Sequence, residues 1–194
     1  IPSRNEYRDS LDQRLIDWVC EMGVMAIPVP NCLIQSDNLV TWLNKIVPNA
    51  LLLSGGNNIG DFTARDSTEK YLLQYSEKNS LPVLGICRGM QMLGHYSGSG
   101  LVKVEHHVKT RHKLIENAFG YGLPRQEVNS YHEMALAECP SGYNVSARSD
   151  DHTIEAITHS ILPWEGWMWH PEREKQFLTS DLKRARAILL GNTK

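Results

Sequence analysis

The stretch Pro82-Val-Leu-Gly-Ile-Cys87-Arg-Gly-Met-Gln91 decides the fold of this chain of 194 residues. Its apolar run stops at Gly85-Ile-Cys87-Arg-Gly89, and a helix over Met90 to Tyr96 is expected to begin at once. This pattern predicts a strand-to-helix elbow, where small residues allow a sharp turn that exposes a nucleophile. The adjacent helix N-terminus favours the thiolate form of Cys87. The alternative interpretation is an ordinary cysteine buried in a core strand.

A second segment supplies partners for that cysteine, namely Trp164-Glu-Gly-Trp-Met-Trp-His170-Pro-Glu172-Arg173. Gly166 to Trp169 is expected to be a buried strand, and the following proline cannot extend its hydrogen-bond ladder, so His170 should lie at the strand end. Glu172, two residues on, can orient the imidazole. Cys87, His170 and Glu172 then supply the nucleophile, base and orienting acid of acyl transfer. The alternative is that His170 and Glu172 are unremarkable polar residues at a strand end.

The rest of the chain alternates between strand and helix patterns. This alternation predicts one α/β domain over 1–194, a doubly wound and mostly parallel sheet flanked by helices, with a few antiparallel strands late in the chain. The expected helices are 11–22, 38–46, 66–78 (burying Tyr71, Leu72 and Tyr75) and 180–190. The other expected strands are 24–29, 50–53, 81–86 and 154–157. Residues 97–150 are less regular and should contain strands and long loops.

Two further segments complete a family resemblance. The run Ala50-Leu-Leu-Leu-Ser54-Gly55-Gly56-Asn57-Asn58 leads from a strand into a glycine pair, and Glu127-Val-Asn129-Ser130-Tyr131-His132 follows later in the chain. With the two segments above, they resemble the class I (triad) glutamine amidotransferases in family order. Within these, the chain is most similar to the free-standing γ-glutamyl hydrolase branch, whose first helix also resembles Arg8 to Arg14.

The resemblance implies a flavodoxin-like fold and cysteine-dependent cleavage of a γ-glutamyl amide in a small-molecule substrate, without a cofactor. Backbone N–H groups of Gly56 and Arg88 are expected to form the oxyanion hole. The expected substrate contacts are Gly55, Gln91, Asn129, Ser130, Tyr131 and His132. The family's first β-strand precedes its first helix, so we expect that strand to lie before residue 1.

The segment Lys103-Val-Glu-His106-His107-Val-Lys109-Thr-Arg111-His112-Lys113 holds four basic residues and three histidines. It is either a solvated basic loop or, with Arg65 and Arg88, a face turned to an anionic leaving group such as a phosphate or nucleotide. The histidines raise the question of a metal site. Because the neighbouring Lys and Arg residues repel a cation, no metal is expected.

Composition excludes several classes of function. A net charge of -2 gives no reason to expect nucleic acid as a partner. No apolar run approaches the roughly 20 residues that span a bilayer, so no membrane association is expected. The four cysteines lack CxxC spacing, which favours a reducing cytoplasm over a disulfide or zinc framework.

Three alternatives to a free-standing hydrolase with an anionic leaving group are left open. A homodimer is also left open. One is the glutaminase component of an amidotransferase, which hands ammonia to a synthetase partner. Another is a hydrolase of a different γ-glutamyl amide, such as a γ-glutamyl polyamine. The positively charged polyamine would suit an acidic pocket better than the basic segment 103–113. The third is a non-enzymatic binding member of the wider superfamily of elbow-cysteine proteins.

Overall fold

A computed structural model describes residues 8–36, 38–117 and 127–191. The helices in these ranges are α1 (Gln13–Glu21), α2 (Asn38–Ile46), α3 (Thr63–Asn79), α4 (Arg88–Tyr96) and α5 (Thr179–Leu190). The strands are β1 (Leu51–Leu53), β2 (Val83–Ile86), β3 (Leu101–Lys103), β4 (Val108–Asn117), β5 (Glu127–Tyr131), β6 (Met134–Leu136), β7 (Tyr143–Ser149), β8 (Ile154–His159) and β9 (Trp164–Trp167). Two 3₁₀ turns cover Asn31–Ile34 and Pro171–Arg173.

Seven strands form one sheet in the order β1-β2-β9-β8-β7-β4-β5. The β1–β2 and β2–β9 pairs are parallel, and every pair beyond β9 is antiparallel. Strands β3 and β6 form a separate antiparallel pair. The predicted α/β class is confirmed, with the parallel strands at one side and the antiparallel strands contributed by the later part of the chain.

Apolar side chains cover both faces of the parallel strands. Val83 packs on one face with α2, α3 and α4, whereas Leu84 and Ile86 pack on the other with α1 and α5. The β9 segment continues this pattern, because Trp164 belongs to the first cluster and Trp167 to the second. Strands buried on both faces read as continuous apolar runs, which is why β1 and β2 were recognisable in the sequence.

One predicted strand is wrong. Residues 24–29 are irregular, and no described strand pairs with them. Pro28 lacks the N–H that a ladder needs, and Met25 and Ile27 are 80% and 45% exposed. The strand expected before residue 1 and residues 1–7 lie outside the described residues.

Other elements differ from expectation mainly in their bounds. Helix α3 begins at Thr63 rather than at residue 66, and buries Leu72 while Tyr71 and Tyr75 are only partly buried. Strand β9 ends at Trp167, so His170 lies three residues beyond it. The irregular region contains β3 to β7, as predicted, and its residues 118–126 lie outside the described part. None of the described helices is long and apolar enough to cross a membrane.

Candidate active site

Cys87 lies at a sharp turn between β2 and α4, with φ 52° and ψ −105°. A non-glycine residue at positive φ stores strain, as a nucleophile elbow does. A Cβ added to Gly85 would lie 2.6 Å from the carbonyl carbon of Gly89, and one added to Gly89 would collide with the Leu53 carbonyl oxygen. Glycine at both positions therefore lets α4 start directly against the ends of β1 and β2.

His170 and Glu172 form a buried pair on the 3₁₀ turn that follows β9. The Nδ1 atom of His170 lies 2.6 Å from the Glu172 carboxylate Oε1. Because a carboxylate accepts the hydrogen bond, Nδ1 carries the proton and Nε2 is left to exchange protons with a reacting group. The two-residue spacing thus gives the orienting contact that the sequence predicted.

Asn129 contacts the backbone of His170, and Gly55 and Tyr131 lie against its ring. The backbone N–H of His170 donates to Asn129 Oδ1 at 2.9 Å, and Asn129 Nδ2 donates to the His170 carbonyl at 2.8 Å. A Cβ at Gly55 would lie 2.6 Å from His170 Cε1, so only glycine leaves room for the ring there. Tyr131 meets the ring edge-on, with centroids 5.7 Å apart.

The glycine turn after β1 is held by an arginine from α3. Arg65 Nη2 donates to the carbonyl oxygens of Ser54 and Gly55 at 2.8 and 3.1 Å. Gly56 has φ 149°, and a Cβ there would collide with the Arg65 guanidinium. The arginine therefore fixes the backbone next to Gly56, one of the two predicted oxyanion donors.

Burial raises the pKa of Cys87 to about 12. A hydrogen bond from the Arg88 backbone N–H and the charge of Arg173 act in the opposite direction, whereas Glu172 and Glu155 add to the rise. The expected thiolate at the helix N-terminus is therefore not the resting form, because desolvation outweighs the dipole and the N–H. A neutral thiol is therefore the form in which Cys87 rests.

A cavity of about 190 Å³ opens at Cys87. Its lining combines predicted site residues with others, namely Gly56, Asn58, Cys87, Gln91, Val108, Tyr131, His132 and Glu133. Gln91 is held there by a hydrogen bond from its Nε2 to the Met134 carbonyl at 2.7 Å. The cavity at Cys87 is thus lined by four of the residues that were predicted to surround the substrate, namely Gly56, Gln91, Tyr131 and His132.

Three other predicted contacts lie behind the cavity. Gly55 packs against His170, and Asn129 binds its backbone. The hydroxyl of Ser130 is buried and donates to the His107 carbonyl at 2.6 Å. These residues support the site from behind its wall, so their predicted contact with substrate stays a prediction.

One interpretation of the sequence placed the side chains of Arg65 and Arg88 against an anionic leaving group. Both side chains instead bind groups of the protein itself. The buried Arg88 guanidinium forms ion pairs with Asp66 and Glu69. Arg65 binds Glu69 and the glycine turn. Within the basic segment 103–113, Val108 lines the cavity. The Lys and Arg side chains of this segment are exposed.

Several residues that shape the site were not predicted from the sequence. Asn58, the last residue of the glycine-pair segment, and Glu133, the residue after His132, both line the cavity. The Arg173 guanidinium lies 4.8 Å from the centre of the Tyr131 ring and is 37% exposed, which puts a positive charge at the rim. Arg14 donates to the Glu172 carbonyl at 2.9 Å and so ties α1 to the turn that carries His170. Only tertiary structure brings Arg14 there.

Known proteins resemble this chain over most of its length. The model of the family described as "Glutamine amidotransferase class-I" matches residues 5–182. A γ-glutamyl-CDP-amidate hydrolase from Campylobacter jejuni is 32% identical over 136 residues, which are 67% of this chain and 65% of that protein. A glutamine-hydrolysing GMP synthase subunit from Pyrococcus abyssi is 31% identical over 174 residues, 88% of each chain.

The solved structures give the same picture. A GMP synthase-like subunit from Thermoplasma acidophilum superposes with a TM-score of 0.70 at 28% identity, covering 91% of this chain and 87% of that one. A glutamine amidotransferase from Methylobacillus flagellatus superposes with a TM-score of 0.62 at 16% identity, covering 90% and 68%. The second likeness concerns the fold alone.

Proposed function

Because the chain belongs to the class-I glutamine amidotransferase family, whose members act on carbon–nitrogen amide bonds, we propose that it hydrolyses γ-glutamyl amides through a thioester on Cys87 and releases glutamate. The observation that carries the proposal is the elbow cysteine, with φ 52°, at the end of a strand that pairs with the strand leading to the buried His170–Glu172 pair. A non-catalytic binding protein has no use for all three groups. The non-enzymatic rival is therefore set aside.

The first half-reaction forms the thioester. The Cys87 thiol gives its proton to His170 Nε2 as the sulfur attacks the δ-carbonyl carbon, which turns the carbonyl oxygen into an oxyanion. The N–H groups of Gly56 and Arg88 stabilise that oxyanion, and the loss of one such donor typically costs about 2.7–4 kcal/mol of barrier. His170 then protonates the departing nitrogen, so the amide bond breaks as the carbonyl reforms.

The second half-reaction releases glutamate. His170, neutral again, takes a proton from water as the water oxygen attacks the thioester carbon. Collapse of this intermediate breaks the carbon–sulfur bond, and the proton on His170 returns to the sulfur. Glu172 stabilises the imidazolium that exists in both steps. A free thiol with a pKa near 12 is compatible with this cycle because the proton leaves only as the carbon–sulfur bond forms.

For the leaving group we propose a phosphoramidate carried on a nucleotide. The similarity to the Campylobacter jejuni γ-glutamyl-CDP-amidate hydrolase supports this choice. Arg173, stacked on Tyr131 at the rim, offers a guanidinium where a phosphate would leave the cavity. With this leaving group the products are glutamate and the nucleotide phosphoramidate, as in capsule phosphoramidate biosynthesis.

Two other leaving groups have observations in their favour. Relatives that belong to GMP synthases match 88% of this chain, which supports a glutaminase that passes ammonia to a synthetase partner. Glu133 is the carboxylate among the described residues of the cavity lining, and it would suit a γ-glutamyl polyamine. Both alternatives retain the same triad and the same thioester.

The test compares glutamate release from three substrates: γ-glutamyl-CDP-amidate, glutamine and a γ-glutamyl polyamine. We expect the nucleotide to be cleaved with the highest kcat/KM, and Cys87→Ala to abolish release from all three. The variant Arg173→Ala should raise the KM for the nucleotide about tenfold while changing that for glutamine little. Lys113→Ala, which removes an exposed basic residue away from the cavity, is the matched control.

Faster ammonia release from glutamine, further stimulated by a synthetase partner, would contradict the proposed leaving group and support the glutaminase. Preference for the polyamine would do the same in favour of the acidic-pocket alternative. Glutamate release that survives Cys87→Ala would contradict the reaction itself.

A further inference from the structure

Three histidines and a glutamate converge behind the catalytic cavity. His107 precedes β4, His112 lies in β4, His132 follows β5 and Glu155 lies in β8. All four side chains are buried, with at most 8% of each residue exposed. One ring nitrogen or carboxylate oxygen from each lies within 4.8 Å of the others. The sheet thus brings together groups from three separate segments of the sequence.

The inner atoms of this cluster lack hydrogen-bond partners. They are His107 Nδ1, His112 Nε2, His132 Nε2 and both carboxylate oxygens of Glu155. Glu155 Oε1 lies 3.6 Å from His107 Nδ1 and 3.5 Å from His132 Nε2, which is too long for a good hydrogen bond. A buried polar atom without a partner destabilises the folded state, so five together call for a common partner.

The outer nitrogens fix where the protons lie. His107 Nε2 is 2.7 Å from Asp151 Oδ2, and His132 Nδ1 is 3.2 Å from the Met134 carbonyl. Since both partners accept hydrogen bonds, these outer nitrogens carry the ring protons. In the neutral rings the inner nitrogens then point lone pairs at the Glu155 carboxylate. Lone pairs and a carboxylate repel one another unless a positive charge lies between them.

These outer contacts are those of metal-binding histidines. Such a histidine almost always donates its second N–H to a carboxylate or backbone carbonyl, which fixes the tautomer and the ring orientation. Asp151, the acceptor for His107, is itself held by the Ser149 hydroxyl at 2.6 Å.

A β-bulge makes the arrangement possible. Residues five apart on a regular strand face opposite sides, so His107 and His112 would diverge. The register shifts between Val108 and Thr110, where Lys109 has φ 54°, and the extra residue returns both rings to one side. Lys109, Arg111 and Lys113 face solvent instead, so the expected repulsion of a cation by its basic neighbours does not reach the cluster.

We propose that His107, His112, His132 and Glu155 bind one divalent transition-metal ion, with zinc the best match. Zinc takes three imidazoles and a carboxylate tetrahedrally at about 2.0–2.1 Å, which sets ligand separations of roughly 3.4 Å. The two contacts of Glu155 already lie within a few tenths of an ångström of that value. Since the protein fills all four positions, the ion is structural. It joins β4, β5 and β8 and holds His132 in the cavity wall.

The test measures zinc in the purified full chain by mass spectrometry, after dialysis and after titration with zinc chloride. We expect one zinc ion per chain, and a higher Tm for the zinc-loaded protein than for the chelator-treated protein. His112→Ala should lose the ion. Exposed His106, which has φ 63°, provides a matched control as His106→Asn, because asparagine tolerates that conformation. His106→Asn and Cys87→Ala should both retain one ion.

A wild-type chain that neither contains zinc nor changes its Tm upon titration would overturn the proposal, as would full zinc content in His112→Ala. Should His112→Ala fail to fold, zinc X-ray absorption on the wild-type protein decides. A shell of nitrogen and oxygen with multiple imidazoles supports the site. A sulfur ligand would assign the ion to a cysteine and contradict it.

Discussion

Cys87 combines a nucleophile's position with an unreactive resting state. Burial raises its pKa to about 12, so below that pH the free protein holds a neutral thiol. We therefore expect iodoacetamide to modify Cys87 slowly at neutral pH and faster as the pH rises, without levelling off near pH 9. The exposed Cys20 and Cys32 serve as internal references. Peptide mass spectrometry across pH gives each rate.

A glutamine-derived chloroketone should modify Cys87 quickly at neutral pH, because it occupies the γ-glutamyl site and recruits His170 and the oxyanion donors. Rapid modification of Cys87 by both reagents would contradict the buried neutral thiol. Slow modification by both would contradict the triad.

We infer that Asn129 positions His170, a role that was not predicted from the sequence. Its amide makes two hydrogen bonds to the backbone of His170 and does not line the cavity. We expect Asn129→Ala to lower kcat about 10- to 100-fold, since small misplacement of a catalytic group has that effect, and to change KM little. Exposed Asn144→Ala is the control. A raised KM with normal kcat would show instead that Asn129 binds substrate.

At the residue scale, the contacts that could be predicted are those between residues close together in the sequence. The His-x-Glu pattern determines a pair two residues apart, and Gly-x-Cys-x-Gly determines a sharp turn. The partners of Arg88 could not be predicted, because Asp66 and Glu69 lie about twenty positions earlier, on another helix. The proximity of His107 to His132 and Glu155 likewise could not be predicted, because these residues lie in different segments of the sequence.

At the element scale, α4 depends on a glycine in its first turn. A Cβ at Gly89 would collide with the Leu53 carbonyl, which belongs to the strand β1 that pairs with β2. We expect Gly89→Ala to lower the free energy of unfolding by about 1–3 kcal/mol through overpacking. Gly100→Ala, whose Cβ would meet only Ala137 at 3.8 Å, should change it by less than about 0.5 kcal/mol. Urea unfolding compares them, and equal effects would contradict this packing.

Elements with a strong internal pattern were predicted within a few residues. Helix α5 and strands β1 and β2 are examples, because their apolar spacing alone defines a buried face. Residues 24–29 have a strand-like composition but no partner strand in the described part of the chain. A strand exists only when another strand satisfies its backbone, which sequence pattern cannot supply.

At the scale of the whole molecule, buried acids limit stability at high pH. Burial raises the pKa of Tyr143 above its ordinary 10.0 and that of Cys87 above its ordinary 9.0. The unfolded chain therefore releases these protons first, and the free energy of unfolding falls as pH rises from about 9. We expect Tyr143→Phe to flatten this decline. Urea unfolding between about pH 8 and pH 11 tests it, and an unchanged slope would contradict the assignment.

The overall architecture could be predicted as a class but not in its strand order. Alternating strand and helix patterns determine an α/β sheet. They do not show that β9, near the end of the chain, would pair with β2 and so place the segment that carries His170 next to the strand that leads to Cys87. That pairing, parallel to β2 and antiparallel to β8, assembles the site from distant segments.

The proposed reaction passes through a thioester on Cys87, and acid quenching followed by intact-protein and peptide mass spectrometry detects such an adduct. The protein is mixed with a γ-glutamyl substrate and quenched within milliseconds to seconds. We predict a glutamyl adduct on the peptide containing Cys87 that is sensitive to hydroxylamine, and none in Cys87→Ala. Glutamate release from the wild type without any adduct on Cys87, or with the adduct on another residue, would contradict the proposed thioester mechanism.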